Sequence, residues 1–74
     1  IHFEIATAGR ASLRIFGSDG RLVAVLADRE FGMGSQGLIW DGLDSSGRPA
    51  PSGVYHAMLK SGGSRETLKL ILLR

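Results

Sequence analysis

The close spacing of turn signals is the feature that most constrains what this chain can form. Runs in which apolar and polar residues alternate are separated, roughly every eight to twelve residues, by clusters of glycine, proline, aspartate and serine. The dipeptides at 19–20 and 41–42 are Asp-Gly and the one at 62–63 is Gly-Gly, and such pairs favour tight reversals because glycine accepts φ > 0. No segment combines a helix start, a helical period and a helix stop. The sequence therefore predicts an all-β fold.

Several segments have the composition of strands. The alternation of Ile1, Phe3 and Ile5 with polar residues predicts a half-buried strand whose apolar side faces the core. Segment 21–26 is apolar at most positions, and in segment 65–74 the last four residues before Arg74 are all apolar. Both features predict strands covered on both faces, with a helix over 21–26 as the alternative. We expect a β-sandwich of about six to seven strands, forming a single domain over residues 1–74. The predicted strands are 1–5, 11–16, 21–26, 38–40, 54–60 and 65–74.

The segment 28–37 is predicted to be a loop, because it has glycine at positions 32, 34 and 37 and no alternating pattern. Phe31 and Met33 are its apolar members. They would either fold over one end of the sandwich or stand exposed as a contact loop, and we hold both alternatives open.

A structural corner is predicted over residues 40–55, which begin with the only Trp and end with the only Tyr. We expect both rings in the core, since a buried aromatic removes roughly 150–250 Å² from water. The Tyr55 hydroxyl is expected to bond to the corner backbone. Gly53 is expected to hold a strained conformation, so that Gly53→Val costs more than Gly34→Val. The residues assigned to the corner are Trp40, Asp41, Gly42, Gly47, Gly53 and Tyr55.

Composition excludes several classes of function. The net charge is +2, and the nine Lys and Arg residues are scattered, so we expect no nucleic-acid partner. No apolar run approaches the ~20 residues that span a bilayer. The absence of cysteine excludes disulfides and thiolate metal sites. Because the chain begins with Ile1 and not Met, we expect it to be one module of a longer protein, in contact with that protein's preceding domain.

No set of residues indicates an enzyme, a cofactor or a metal ion. Asp41 and Asp44 could supply oxygen ligands to Ca²⁺, which takes six to eight of them, but hydrogen bonds to nearby backbone amides in Asx-turns are the favoured interpretation. His2 and His56 are the only histidines and have no pattern of partners typical of zinc binding or of a catalytic triad. We therefore predict that the chain is not an enzyme.

Six motifs occur in a particular order along almost the whole chain. They are Leu-Arg-Ile-Phe at 13–16, Asp-Gly-Arg-Leu-Val at 19–23, Trp-Asp-Gly at 40–42, Asp-Ser-Ser-Gly-Arg-Pro at 44–49, Ser-Gly-Val-Tyr at 52–55 and Leu-Ile-Leu-Leu-Arg at 70–74. In this order they resemble the FlgD Ig-like domain, named for the flagellar hook-capping protein, and the related C-terminal domains of secreted bacterial proteins, including type IX secretion sorting domains. Two departures are Gly17, where that family usually has a polar residue, and the glycine-rich segment 32–37.

The resemblance implies an immunoglobulin-like or fibronectin-III-like sandwich without catalytic activity, in a bacterial extracytoplasmic protein that is secreted, on the cell surface or periplasmic. It implies a role in sorting, anchoring or scaffold assembly through contacts with a secretion or assembly protein, made by loops or by an edge strand. One alternative is a carbohydrate-binding accessory module of a secreted hydrolase, which an exposed Trp40 or Tyr55 would favour. The other is a passive structural spacer.

Overall fold

The computed structural model describes residues 1–74 and contains six strands and no α-helix. The all-β prediction is therefore confirmed, and the helical alternative for 21–26 is excluded. No helix suited to crossing a membrane is present. The strands are β1 (His2–Ile5), β2 (Gly9–Gly17), β3 (Leu22–Phe31), β4 (Gly34–Gly37), β5 (Gly53–Ser61) and β6 (Ser64–Leu72).

The strands form two antiparallel sheets that pack as a sandwich. The larger sheet has the order β3-β2-β5-β6, and the smaller one pairs β1 with β4. Strands β2 and β5 lie in the middle of the larger sheet, where neighbours on both sides satisfy their backbone groups. Strands β3 and β6 are its two edges.

The core lies between the sheets and is built by alternate residues of the central strands. Leu13 and Ile15 of β2 are almost fully buried and pair with Leu59 and Ala57 of β5, which are buried on the same face of the sheet. Ile5 of β1 covers them from the smaller sheet. The other buried apolar residues are Ala11, Ala24, Ala27, Phe31, Ala50 and Tyr55.

The predictions for residues 28–40 are wrong. Strand β3 continues to Phe31, the glycine-rich segment forms β4, and residues 38–40 lie outside any strand. The reason is that β1 supplies a partner, with Phe3 opposite Gln36 and Ile5 opposite Gly34. A backbone ladder needs no particular side chains, so glycine residues can enter it once a neighbouring strand is fixed.

Of the two alternatives for Phe31, exposure in a contact loop is excluded by its burial. Its side chain is 4% exposed, and its ring meets that of Phe3 edge to face with centroids 5.7 Å apart. The guanidinium of Arg29 lies over the same ring at 3.9 Å. Met33 remains 73% exposed, so only one member of the predicted loop is available for contact.

Strand β3 is not covered on both faces as predicted. Its pairing with β2 is interrupted twice by shifts in register, and the shift that skips Leu26 lets both Ala24 and Ala27 face inward. Leu22 and Val25 consequently lie exposed on the outer face of the sheet. The apolar composition of this strand thus serves the core on one side only.

Candidate functional site

The aromatic corner is held together by hydrogen bonds within the chain. The rings of Trp40 and Tyr55 meet edge to face with centroids 4.9 Å apart. The Tyr55 hydroxyl donates to Pro51 O at 2.5 Å, and Trp40 Nε1 donates to Leu43 O at 2.9 Å. Tyr55 is buried and Trp40 half-buried. The pair therefore offers no two-ring platform on which a sugar could stack.

The side chains of Asp41 and Asp44 both accept hydrogen bonds from backbone amides of the corner. Asp41 Oδ1 accepts from Leu43 N at 3.0 Å, while Asp44 Oδ1 accepts from Ser46 N at 2.9 Å and from Arg48 N at 3.0 Å. These are the Asx-turn bonds that the sequence favoured. No group of three or more His, Cys, Asp or Glu side chains comes together as a metal site would require.

The three glycines of the corner differ in their backbone φ angles. Gly42 and Gly47 have φ of 78° and 83°, in the left-handed region that suits glycine. Gly53 has φ of 156°, which other residues rarely adopt, but this value is close to extended backbone, so the strain predicted there is present and small. Gly34, with φ of 123°, is further from the conformations open to other residues.

Sequence reasoning missed Arg74, which closes the corner from the end of the chain. Arg74 Nε donates to Ala50 O at 2.5 Å, its Nη2 donates to Gly42 O, and its backbone N donates to Ser52 Oγ at 3.0 Å. No local sequence pattern predicts these contacts, since they join residues that are 22 to 32 positions apart in the chain. The corner is thus an internally satisfied structural unit.

Strand β6 is the most exposed apolar element of the molecule, and the prediction that it is covered on both sides is wrong. Leu68 is 49% exposed and Ile71 is 67% exposed. Leu68 lies beside Ala57 on the inner face, and Ala57 is buried. The inner face is therefore covered less completely at β6 than at β5, and only Leu70 and Leu72 of β6 pack against the core.

The backbone of β6 is paired on one side only. Its register with β5 is unbroken from Gly53 opposite Leu72 to Ser61 opposite Ser64. The two-residue turn between these strands has positive φ at Gly62 alone, 58°, which is typical of a type II′ turn. Ladder alternation from that turn directs the N–H and C=O groups of residues 65, 67, 69 and 71 away from β5. No backbone partner meets them.

The opposite edge of the larger sheet is protected in ways that β6 is not. Strand β3 carries two register shifts, which bend an edge and hinder pairing with another chain. The corner loop also covers it, since Ser45 donates from its backbone N at 2.9 Å and from Oγ at 3.2 Å to Val23 O. Strand β6 has no register shift and no covering loop. The two edges of one sheet are therefore unequal.

The outer face of β6 and its neighbour is basic. Lys60 lies directly opposite Arg65, and Lys69 lies opposite the half-buried His56. Two like charges facing each other across a ladder are unfavourable. The structure's ion pairs join Asp28 to Arg10 at 3.0 Å and to Arg14 at 3.7 Å, so none involves the cations of β5 and β6.

These features define a class of protein: a six-stranded β-sandwich whose larger sheet has one open edge, β6, which is apolar on its inner face and basic on its outer face. Comparison of the chain with protein-family models, with curated proteins and with solved structures finds no match. A function must therefore be inferred from the geometry of this edge.

Proposed function

We propose that this chain is a non-catalytic immunoglobulin-like module of a bacterial extracytoplasmic protein, and that it serves sorting, anchoring or scaffold assembly by adding a strand of a partner protein to the free edge of β6. The wider part of this proposal, the location and the role, rests on the order of sequence motifs. The contact surface rests on the geometry of β6.

Two observations support the immunoglobulin-like part. The sheet order β3-β2-β5-β6 opposite β1-β4 corresponds to the order C′-C-F-G opposite B-E in immunoglobulin-like sandwiches. Tyr55 lies near the start of β5, and its hydroxyl bonds to the backbone four residues upstream. A tyrosine at the start of strand F forms the same corner in that class of sandwich.

The observation that carries the proposed function is the free ladder of β6. Four of its nine residues present unpaired backbone groups, and Leu68 beside them is 49% exposed, a combination that favours association with another chain. A partner strand would satisfy the backbone groups of residues 65, 67, 69 and 71 and would cover Leu68. Main-chain hydrogen bonds would supply affinity, and the side chains on the two faces would supply selectivity.

The proposal is tested in the full parent protein by Thr67→Pro. Proline removes an N–H that points away from β5, so it blocks the free edge without removing a bond of the β5–β6 ladder. The matched control is Thr67→Val, which keeps the N–H and suits a strand. We expect Thr67→Pro to reproduce the mislocalisation or failed assembly caused by deleting residues 1–74, and Thr67→Val to behave as the unmodified protein.

Two results would contradict the proposal. If the Thr67→Pro protein is located and assembled normally while the protein lacking residues 1–74 is not, the contact must lie on another surface of the domain. Normal location and assembly after the deletion would favour a passive spacer. Thermal melting of both Thr67 variants verifies that the sandwich is retained.

A further inference from the structure

The two faces of β6 restrict which strand can pair with it, if the edge is the contact surface proposed above. On the inner face the side chains follow the order Glu66, Leu68, Leu70, Leu72. On the outer face the order is Arg65, Thr67, Lys69, Ile71. Residues directly opposite in an antiparallel ladder share a face, so each β6 side chain sets the chemistry of one residue in the partner.

A second copy of the chain is an unfavourable partner for this edge. Two β6 strands related by a twofold axis normal to the sheet pair outer face with outer face. A register centred on Thr67 places Arg65 opposite Lys69, and one centred on Lys69 places the two Lys69 residues opposite each other. A register centred on Leu68 avoids direct opposition but places Lys69 diagonal to Lys69 and Arg65 of the second copy. Glu66, the only carboxylate of the strand, lies on the other face and cannot neutralise them. The basic residues thus oppose self-pairing, as charged residues on edge strands commonly do.

We propose that the free edge of β6 binds an extended segment of a partner protein, added antiparallel to β6, which presents acidic residues on its outer face and apolar residues on its inner face. Acidic residues lie opposite Lys69 and Arg65, where no carboxylate of this chain reaches. Apolar residues lie opposite Leu70 and Leu68, and their side chains extend the core beyond its present limit. The antiparallel direction continues the arrangement of the whole sheet.

The partner strand has a definite pattern along its length. Opposite residues 71, 70, 69, 68, 67, 66 and 65 in turn, it is apolar, apolar, acidic, apolar, neutral β-branched, basic and acidic. The basic residue faces Glu66, and the β-branched residue faces Thr67. The capped peptide Val-Val-Glu-Val-Thr-Lys-Glu carries this pattern and is the probe for the experiment.

The experiment is a titration of isotopically labelled protein with this peptide, followed by amide chemical shifts in NMR spectra. We expect the largest shifts at the amides of Arg65, Thr67, Lys69 and Ile71. A peptide with both Glu residues replaced by Gln should bind roughly two- to thirtyfold more weakly, as the loss of two cross-strand ion pairs implies. A scrambled peptide, Glu-Glu-Val-Val-Val-Thr-Lys, should bind more weakly still. Methylation of the probe's Thr backbone N should abolish binding without any change to the protein.

A charge exchange gives the sharpest test. Lys69→Glu should weaken binding of the probe. A second peptide, in which the first Glu of the probe is replaced by Lys, should bind the Lys69→Glu variant more tightly than the probe does. Rescue of this kind requires that the two side chains face each other, which a general effect of net charge would not produce. Thr67→Pro should lose binding, and Thr67→Val should keep it.

The possible failures are distinct. Equal binding of the Glu and Gln peptides, with loss in Thr67→Pro, would overturn the acidic partner and leave the free edge as the contact surface. Equal binding of the ordered and scrambled peptides would overturn strand addition in favour of a surface that attracts any polyanion. Absence of shifts at all four amides with every peptide would overturn both this inference and the proposed function.

Discussion

The contact between Arg74 and the corner can be measured by a double-mutant cycle with Gly42. A methyl group at Gly42 would lie 2.8 Å from Arg74 Nη2, and φ at this position is 78°. We therefore expect Gly42→Ala to strain the backbone and to shift the guanidinium of Arg74 away from Gly42 O and Ala50 O. Gly47 provides the matched control, because its φ is 83° and a methyl group there would have no neighbouring atom within 4 Å.

The magnitudes follow from these contacts. A non-glycine residue in the left-handed region costs about 1–2 kcal/mol. Each hydrogen bond from a charged group contributes about 1.5–3 kcal/mol, and because Arg74 is largely exposed we take about 2 kcal/mol for its two bonds together. Gly42→Ala should then cost about 3–4 kcal/mol in the unmodified chain and about 1–2 kcal/mol in Arg74→Ala. Gly47→Ala should cost about 1–2 kcal/mol in both backgrounds.

The assay is urea unfolding followed by the fluorescence of Trp40, the only Trp in the chain. A domain of this size is stable by only a few kcal/mol, so the measurement is made at low temperature with a stabilising osmolyte. A coupling energy of about 2 kcal/mol between Gly42→Ala and Arg74→Ala is expected. Additivity within about 0.5 kcal/mol would refute the reasoning, because it would mean that the guanidinium does not bind this backbone.

Three further predictions concern the corner and β4. Tyr55→Phe removes the donor to Pro51 O and should lower the free energy of unfolding by about 0.5–1.5 kcal/mol, measured by urea unfolding; no change would mean that water replaces this bond fully. Trp40→Ala should cost about 3 kcal/mol, the lower end for a large aromatic because the ring is half-buried, and an unchanged thermal midpoint would assign the ring to the surface. Gly34→Val should lower the thermal midpoint more than Gly53→Val, since φ is 123° at Gly34 and 156° at Gly53. The opposite order would mean that Gly53 is the more strained of the two glycines.

The unequal edges of the larger sheet link its packing to its proposed role. Strand β3 is closed by register shifts and by Ser45, whereas β6 keeps a regular ladder open to solvent. An open apolar edge carries a risk of self-association, and the cations Arg65 and Lys69 reduce that risk. The same cations would select an acidic strand. Protection against self-pairing and selection of a partner thus depend on the same side chains.

Local chemistry in the sequence was sufficient for the central strands and the turns. Alternation identified β2 and β5, because side chains on a strand point to its two faces in turn. The Asx-turns at Asp41 and Asp44 followed from residue type, since a short carboxylate reaches the amide two residues ahead. These features depend on neighbours within a few positions and therefore need no knowledge of the rest of the fold.

The tertiary structure alone decided which segments pair and which surfaces stay open. The glycine-rich strand β4 forms because β1 pairs with it. Phe31 is buried because the end of β3 brings its ring against that of Phe3. The apolar composition of β6 is the same for a covered strand and for a free edge, so its exposure depended on how far the smaller sheet extends. Arg74 can donate to Gly42 O and Ala50 O only when the end of the chain lies against the corner. Pairing and coverage are properties of distant segments brought together, and no local pattern encodes them.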